Sequence, residues 1–208
     1  MIYTSECNLC YQFSQQSSQS NLQAKQQPKN LMNILSIGAS SSSKSINQQL
    51  ANYAAGKIKN AVIQEAKIGD FPVPIFSTDL EETEGIPEQA QRFRELIQSC
   101  DAIVISLAEH NGSYTAAFKN LYDWASRIDY AVWCEKPMLL LATSPGARGG
   151  ATVLEAAAAT FPRMGAQLVG SLSVPSFHDN FQHGALKHSE LDAQLNSLTQ
   201  RLHKPTSI

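Results

Sequence analysis

The sequence has few cysteines. It holds four in 208 residues, too few and too scattered for a disulfide framework. Cys7 and Cys10 form one CxxC pair, whereas Cys100 and Cys134 stand alone, so no second pair completes a zinc site. A thioredoxin-like site would place CxxC at the end of a strand and at the start of a helix. This pair lies instead beside a segment rich in glutamine and serine, and we interpret both residues as incidental thiols.

A charge excess and long apolar runs are also missing. The net charge is −2 and the pI is near 6.2, so the chain has no basic field that would attract nucleic acid or an anionic membrane surface. No apolar run approaches the roughly 20 residues that cross a bilayer, and the N-terminus has no basic segment followed by an apolar one. We therefore expect a cytoplasmic protein with neither nucleic acid nor membrane as a partner.

Two common nucleotide-binding motifs are absent as well. The chain contains neither GxGxxG nor GxxxxGK[ST], so a Rossmann-type dinucleotide fold and a P-loop NTPase are not supported. What is present is the composition of a globular protein, with 43% hydrophobic and 16% charged residues. Residues 11–30 are dominated by glutamine and serine and have no hydrophobic period. We predict that residues 1–30 form a leader outside the fold and that residues 31–208 form a single domain.

Apolar runs alternate with helical patterns along the domain. Runs of this kind predict five strands, at about residues 31–37, 62–68, 101–107, 137–143 and 167–174. The intervening periodicity predicts helices at about 45–59 and 88–99, two more after residues 114 and 150, and a last one from Ser189 with Asp192 in a capping box. Residues 70–87 read as a long surface loop. The alternation predicts an α/β fold with a parallel sheet between two layers of helices.

Small polar residues follow the first strand. Ser40, Ser42, Ser45, Ile46 and Asn47 stand where a loop passes into a helix, and the free N–H groups of a helix start bind anions such as phosphate. An ordinary serine-rich loop or N-cap is the alternative interpretation. Because ligands of such sheets bind at the carboxyl ends of the strands, the loops after strands three and four decide between the two interpretations.

Those two loops are also chemically unusual. The first contains Glu109, His110, Asn111, Gly112 and Ser113, which allow a tight turn with exposed backbone amides, as a planar heterocycle requires. A plain polar turn is the alternative. We discount an acid–base pair of Glu109 and His110 because adjacent residues of an extended segment point to opposite sides. The second loop, SPGARGG, has glycines that let a flat ligand approach the backbone. Three such loops together favour a binding site for a monophosphate with a planar ring.

Three stretches, ASSSSKSIN, AEHNGSYTAAFKNLYDWASR and LLLATSPGARGG, resemble the NADPH-dependent FMN reductase family of flavodoxin-like flavoproteins, which includes chromate and quinone reductases. The resemblance covers Met32 to about Phe181. It implies a flavodoxin-like three-layer sandwich whose five parallel strands have the order 2-1-3-4-5. It also implies FMN at the carboxyl ends of the strands and a homodimer or homotetramer.

The resemblance assigns roles to residues. The family pattern GSxRxxSxN, whose loop holds the FMN phosphate, aligns with Ala39, Ser40, Ser42, Ser45 and Asn47, and Ser42 stands where the family usually has arginine. Glu109 to Ser113 would line the isoalloxazine, with Ala108 in place of proline and His110 in place of tyrosine. The matching SPGARGG would place Ser144, Pro145, Gly146 and Arg148 beside the ring system.

The implied activity is that of an NAD(P)H-dependent FMN reductase. A hydride would pass from NADPH or NADH to flavin N5 and then to an acceptor such as free flavin, a quinone, an azo compound or a metal oxyanion, in a ping-pong scheme. No catalytic side chain and no metal is required. The alternative is a flavodoxin-type electron carrier, although such carriers tend to be strongly acidic and residues 31–208 carry a net charge of only −3, from 14 basic and 17 acidic residues. A non-flavin protein that keeps the fold for interaction is a third possibility.

Overall fold

The fold is organised around a five-stranded parallel sheet. The computed structural model describes residues 31–203. The sheet strands are β1 (Met32–Ala39), β2 (Ala61–Lys67), β3 (Ala102–Leu107), β4 (Lys136–Thr143) and β5 (Ala166–Val174). They lie side by side in the order β2-β1-β3-β4-β5, and every neighbouring pair is parallel. The predicted order 2-1-3-4-5 is confirmed.

Helices cover both faces of this sheet. They are α1 (Ile46–Gly56), α2 (Thr78–Glu84), α3 (Glu88–Ser99), α4 (Ala116–Ile128), α5 (Ala151–Thr160), α6 (Phe177–Asn180) and α7 (Ser189–Arg201). One apolar cluster joins the sheet to α1 and α7, and a second joins it to α3, α4 and α5. All six residues of β3 are buried because this central strand is covered on both faces. The three-layer α/β architecture is therefore confirmed.

The segment after β2 differs from its prediction. Ile68 belongs to a 3₁₀ turn, Ile68–Asp70, and not to the strand. The predicted loop of residues 70–87 contains α2, which begins after Ser77, whose side chain accepts a hydrogen bond from the Leu80 N–H at 3.1 Å. A serine N-cap of this kind is a helix-start signal within the sequence. The rings of Phe76 and Trp124, edge to face with centroids 5.0 Å apart, hold the segment on α4.

The described residues do not include the predicted leader, and they contain neither a membrane-spanning helix nor a metal-binding cluster. The predicted leader, residues 1–30 with Cys7 and Cys10, lies outside the described residues, so its separation from the domain stays a prediction. Between residues 31 and 203, no helix has the length and apolar character needed to span a membrane. The same part of the chain holds no group of three histidine, cysteine or acidic side chains arranged to bind a metal ion.

The predicted capping box at the start of α7 is wrong. The N-cap residue is His188, and no side chain caps the helix. Asp192 instead links α7 to α1, because its Oδ1 accepts a hydrogen bond from Tyr53 Oη at 2.6 Å and lies 2.7 Å from Lys57 Nζ. Partial burial by itself would raise the pKa of Asp192. Hydrogen bonds from Lys57 and Tyr53 outweigh that effect and hold the pKa below its ordinary value of 3.8.

This carboxylate predicts a pH-dependent contribution to stability. A depressed pKa in the folded state stabilises the protein at neutral pH, and the stabilisation is lost as the pH falls through the folded pKa. We expect Asp192→Asn to lower the free energy of unfolding by about 1 kcal/mol at pH 7, with the difference from wild type shrinking below about pH 4. Urea unfolding of both proteins between pH 3 and 7 measures this difference in the free energy of unfolding.

The matched control is Glu190→Gln, which removes the other acidic residue in the first turn of α7. Glu190 is exposed, so its removal costs only about 0.5 kcal/mol through the helix dipole. Equal losses in the two variants at pH 7 would contradict the role assigned to the link between Asp192 and α1.

Candidate functional site

The loops that follow β1, β3 and β4 meet in one cleft at the carboxyl edge of the sheet. The cleft has a volume of about 180 Å³ and takes its walls from all three loops. Nine of the predicted site residues line it: Ser40, Ser42, Ser45, Ile46, Asn47, Glu109, His110, Ser144 and Pro145. Lys44, Ala108 and Thr143 complete the lining. The other predicted residues, Asn111, Gly112, Ser113, Gly146 and Arg148, lie in the same loops but are not part of the wall.

The serine loop presents the start of α1 to this cleft. Ser45 is the N-cap, and its hydroxyl oxygen accepts a hydrogen bond from the Gln48 N–H at 3.1 Å. The next two amides, those of Ile46 and Asn47, have no acceptor within the described part of the chain. Free N–H groups at a helix N-terminus carry partial positive charge and bind anions. The hydroxyl oxygens of Ser40 and Ser42 accept hydrogen bonds from the loop's own amides, at 3.2 and 3.3 Å, which leaves each hydroxyl hydrogen available to a ligand.

Gly38 allows α1 to approach the end of β1. A Cβ atom at this position would lie 2.5 Å from both Cα and N of Gln48, closer than any side chain permits. The Gly38 N–H donates to Gln48 Oε1 at 2.9 Å, and Gln48 in turn donates to Asn52 Oδ1. These two hydrogen bonds fix the distance between the start of α1 and the end of β1. Gln48 was not predictable from the sequence, because a glutamine in a helix carries no signal of a partner ten residues away.

Asn47 is buried, and its side chain is engaged within the protein. Its Oδ1 accepts hydrogen bonds from Ser106 Oγ at 2.7 Å and from the Thr143 N–H at 3.1 Å. Its Nδ2 donates to the Thr143 carbonyl at 3.2 Å. One amide group therefore ties α1 to the ends of β3 and β4. The backbone N–H of Asn47 is therefore the group available to a ligand in the cleft, whereas its side chain mainly holds the three loops together.

The second loop is a short β-hairpin. Glu109–His110 pairs with Ser113–Tyr114, and Asn111 and Gly112 make the turn with φ values of 52° and 77°. Glu109 Oε2 accepts a hydrogen bond from the Val153 N–H at 3.0 Å. Because the N-cap residue of α5 is a glycine, Glu109 supplies the cap that α5 lacks. His110 is exposed, so the two side chains do not form an acid–base pair, as expected for neighbours on a strand.

The third loop is held by the segment that follows β5. The carbonyls of Ser144 and Gly146 accept hydrogen bonds from the N–H groups of Phe177 and Ser176, at 3.0 and 2.9 Å. Arg148 is exposed, and its Nη2 donates to Thr152 Oγ1 one turn along α5 at 2.8 Å. Arg148 therefore lies over the start of α5 and outside the cleft wall.

The charges around the cleft are few. Of the residues that line it, Lys44 is the only lysine or arginine and Glu109 is the only carboxylate. Since Glu109 already accepts the Val153 N–H, Lys44 and the two free amides are the groups available to an anion. The cleft suits a phosphate monoester that is held mainly by N–H and O–H donors.

A comparison with protein families agrees with this geometry. The model of the family "NADPH-dependent FMN reductase" matches residues 32–179, which include all three loops. The chain belongs to this family. An NADPH:quinone oxidoreductase of Arabidopsis thaliana is 33% identical over 124 residues, which are 59% of this chain and 63% of that protein. A quinone reductase of Pseudomonas putida is 40% identical over 85 residues, 40% of this chain and 44% of the relative. The match thus spans about half the length of these two relatives.

A solved structure supports the fold independently. The flavoenzyme NAD(P)H:(acceptor) oxidoreductase FerB from Paracoccus denitrificans superposes with a TM-score of 0.66 at 22% identity, over 82% of this chain and 94% of that chain. At this identity the likeness concerns the arrangement of the sheet and helices. The resemblance stated from the sequence motifs is confirmed as family membership and as fold.

The residues present fit the phosphate of the family's cofactor, FMN, with one departure. Two free amides and three serine hydroxyls converge at the start of α1, as a phosphate requires. The departure is Ser42, which is exposed and short where the family pattern has arginine. A guanidinium makes strong bidentate contacts with phosphate, and serine makes none of them. The ammonium group of Lys44 supplies a positive charge in the same loop, but only as a point charge without the bidentate geometry.

Proposed function

We propose that the protein is an FMN-dependent NAD(P)H oxidoreductase that uses the cleft formed by the three loops. The observation that carries this proposal is the pair of free amides of Ile46 and Asn47 at the meeting point of the three loops. With a phosphate seated there, Ala108, Glu109 and His110 of the hairpin and Ser144 and Pro145 of the third loop would be the residues left to hold the rest of the flavin. Family membership and the quinone reductase relatives support the same assignment.

In this proposal the chain binds and orients the cofactor and does no proton chemistry through a side chain. FMN bound in the cleft would supply the redox chemistry, namely acceptance of a hydride from NADPH or NADH at N5 and delivery of electrons to an acceptor. Ser40, Ser42 and Ser45 would hold the phosphate by donating their hydroxyl hydrogens. The exposed turn at Asn111 and Gly112 would offer backbone N–H groups to the polar edge of the ring system, where charge develops on reduction.

The acceptor, assembly and location belong to the same proposal. An exposed cleft suits small planar or anionic acceptors, and free flavin, quinones, azo compounds and metal oxyanions are the classes we propose. Donor and acceptor use one face in turn, which gives ping-pong kinetics. We also propose a homodimer or homotetramer and a cytoplasmic location. A flavodoxin-type carrier is the second candidate, but such carriers tend to be strongly acidic, whereas residues 31–208 carry a net charge of only −3.

A visible spectrum of the purified protein tests the proposal. We expect flavin absorption bands that bleach when NADPH or NADH is added under nitrogen and return when a quinone is added. Initial rates at several quinone concentrations should give parallel double-reciprocal lines. A protein that binds no flavin overturns the proposal, and a bound flavin that neither nucleotide bleaches favours the carrier.

Position 42 provides a second test. We expect Ser42→Arg to tighten FMN binding by about tenfold, because a guanidinium adds a charge-assisted contact to the phosphate. Fluorescence titration of the apoprotein with FMN measures it. The matched control is Ser43→Arg, which adds the same charge at an exposed neighbour outside the cleft wall. Equal affinities for wild type and Ser42→Arg would show that the phosphate does not lie at the serine loop.

A further inference from the structure

The serine loop lies between two open spaces. On one side is the cleft described above, and on the other side a larger cleft of about 400 Å³ adjoins the loop beside Lys67. Ser40, Ser42 and Lys44 line both clefts, and residues 41–44 are exposed. Because the loop faces open space on both sides, packing contributes little to its position, and the hydrogen bonds at its two ends have to hold it.

A buried threonine holds the end at which the chain enters the loop. Thr115 is 2% exposed, and its Oγ1 donates a hydrogen bond to the carbonyl of Ala39, the last residue of β1, at 3.1 Å. Among the side-chain hydrogen bonds of residues 31–203, this is the one that joins the end of β1 to the hairpin or to α4. The other end of the loop is held by Asn47 and by the contact of Gly38 with Gln48.

The hydrogen bond from Thr115 acts on the first peptide group of the loop. The carbonyl of Ala39 and the N–H of Ser40 belong to one planar peptide group, and this N–H donates to the Gly38 carbonyl at 2.7 Å. Both polar atoms of that group are therefore fixed. The hydroxyl oxygen of Ser40 then accepts the N–H of Ser42 at 3.2 Å. The orientation of this one peptide group thus reaches two of the hydroxyls that line the cleft.

The hairpin depends less on the same hydroxyl. Thr115 is also the N-cap of α4, where its oxygen accepts the N–H of Phe118 at 3.3 Å. The hairpin has two further attachments, the hydrogen bond of Glu109 to the start of α5 and the ring of Tyr114 stacked on Phe161 with centroids 6.1 Å apart. Loss of the Thr115 hydroxyl is therefore expected to leave the hairpin in place and to release mainly the serine loop.

We propose that Thr115 is a positioning residue for the flavin phosphate. Its hydroxyl holds the first peptide group of the serine loop, and through it the hydroxyls of Ser40 and Ser42, at the place where the phosphate binds. The inference rests on the proposed function, which places the phosphate at this loop. Thr115 itself lines neither cleft. A cap of α4 needs only an acceptor for the Phe118 N–H, whereas this hydroxyl also donates to Ala39, as a positioning role requires.

The test removes the hydroxyl and nearly keeps the shape of the side chain. In Thr115→Val we expect the affinity of the full-length apoprotein for FMN to fall about fivefold, measured by fluorescence titration, because the serine loop is no longer held in place. Thr115→Ser keeps both hydrogen bonds and should bind FMN within about twofold of wild type. The matched control is Ser77→Ala, which removes the hydroxyl cap of α2, lines neither cleft and should leave FMN affinity unchanged.

A second comparison separates positioning from a general loss of stability. If Thr115 acts through Ser40, the change Thr115→Val costs less FMN affinity in a Ser40→Ala background than in wild type. Equal losses in the two backgrounds overturn the inference, and so does a Thr115→Ser variant that binds FMN as weakly as Thr115→Val. Melting of each apoprotein confirms that it folds, and Thr115→Ala replaces the valine variant if that one does not.

The wild type keeps the two proposals apart. If wild type binds no FMN, the proposed function itself fails. If wild type binds FMN and Thr115→Val binds it equally well, only the role of Thr115 is refuted.

Discussion

Replacing Gly38 by alanine is expected to displace the start of α1 and to abolish tight FMN binding. The added Cβ atom would lie 2.5 Å from the backbone of Gln48 and 2.7 Å from its Cβ, and backbone atoms cannot move aside as a flexible side chain can. The helix must move outward, which strains the Gly38–Gln48 hydrogen bond and shifts the two free amides. We expect a loss of about 1–3 kcal/mol in the free energy of unfolding and at least tenfold weaker FMN binding. Urea unfolding of the apoprotein and fluorescence titration measure the two effects.

Gly56→Ala is the matched control for this variant. Gly56 ends α1, is exposed, and a Cβ atom there would meet nothing within 4 Å. Alanine at this site should leave FMN affinity unchanged and change stability by no more than about 1 kcal/mol, in the stabilising direction. If Gly38→Ala behaves like Gly56→Ala, the contact of α1 with the end of β1 does not position the phosphate site.

The second large effect is expected at Asn47. In Asn47→Ala, the Ser106 hydroxyl and the Thr143 N–H lose their buried acceptor, and the Thr143 carbonyl loses its donor. An unpaired buried group costs about 1–3 kcal/mol, so with three such groups we expect the apoprotein to lose at least about 3 kcal/mol of stability. The melting temperature should fall by about 2–4 °C for each kcal/mol. FMN affinity should fall as well, because the same side chain holds the three loops in register.

The melting temperature of the apoprotein, which has no ligand, distinguishes this positioning role of Asn47 from direct contact with the phosphate. Ser42→Ala removes an exposed hydroxyl of the loop and should weaken FMN binding while leaving the melting temperature of the apoprotein unchanged. Asn47→Asp keeps an acceptor for Ser106 and Thr143 but places a negative charge beside the Thr143 carbonyl, so it should restore only part of the stability. An Asn47→Ala apoprotein as stable as wild type would show that the side chain acts on the ligand alone.

Most of the fold follows from local patterns in the sequence. A β-branched and aliphatic run such as residues 102–107 is typical of a central parallel strand buried on both faces, and five predicted strands alternate with helical periods. The strand order came from the family resemblance, because alternation alone does not say which strands are neighbours. The errors lie where a short-range cap signal competed with loop-forming residues. Ser77 was overlooked as a helix start, and Asp192 was assigned to a cap that the chain does not form.

The sequence predicts which loops form the candidate site, but it does not predict which side chains in those loops contact one another. Parallel strands end at one edge of the sheet, so three polar loops after β1, β3 and β4 had to lie near one another. Which side chains remain free was not predictable. Glu109 and Asn47 carry the polar groups expected of ligands, yet the structure pairs them with Val153 and Thr143, 44 and 96 residues away in sequence.

The sequence by itself determined the layered α/β architecture, the serine-rich start of α1 and the membership of a flavin-binding family. The architecture and the serine-rich helix start follow from periodicity and local chemistry, which act between residues close in the chain, and the family follows from the resemblance of three motifs. Only the tertiary structure decided that Asn47 joins the three loops, that Glu109 caps α5, and that a larger cleft adjoins the serine loop beside Lys67. Such contacts depend on how densely packed helices meet the strand ends, where a fraction of an ångström decides which polar groups pair and which stay open to a ligand.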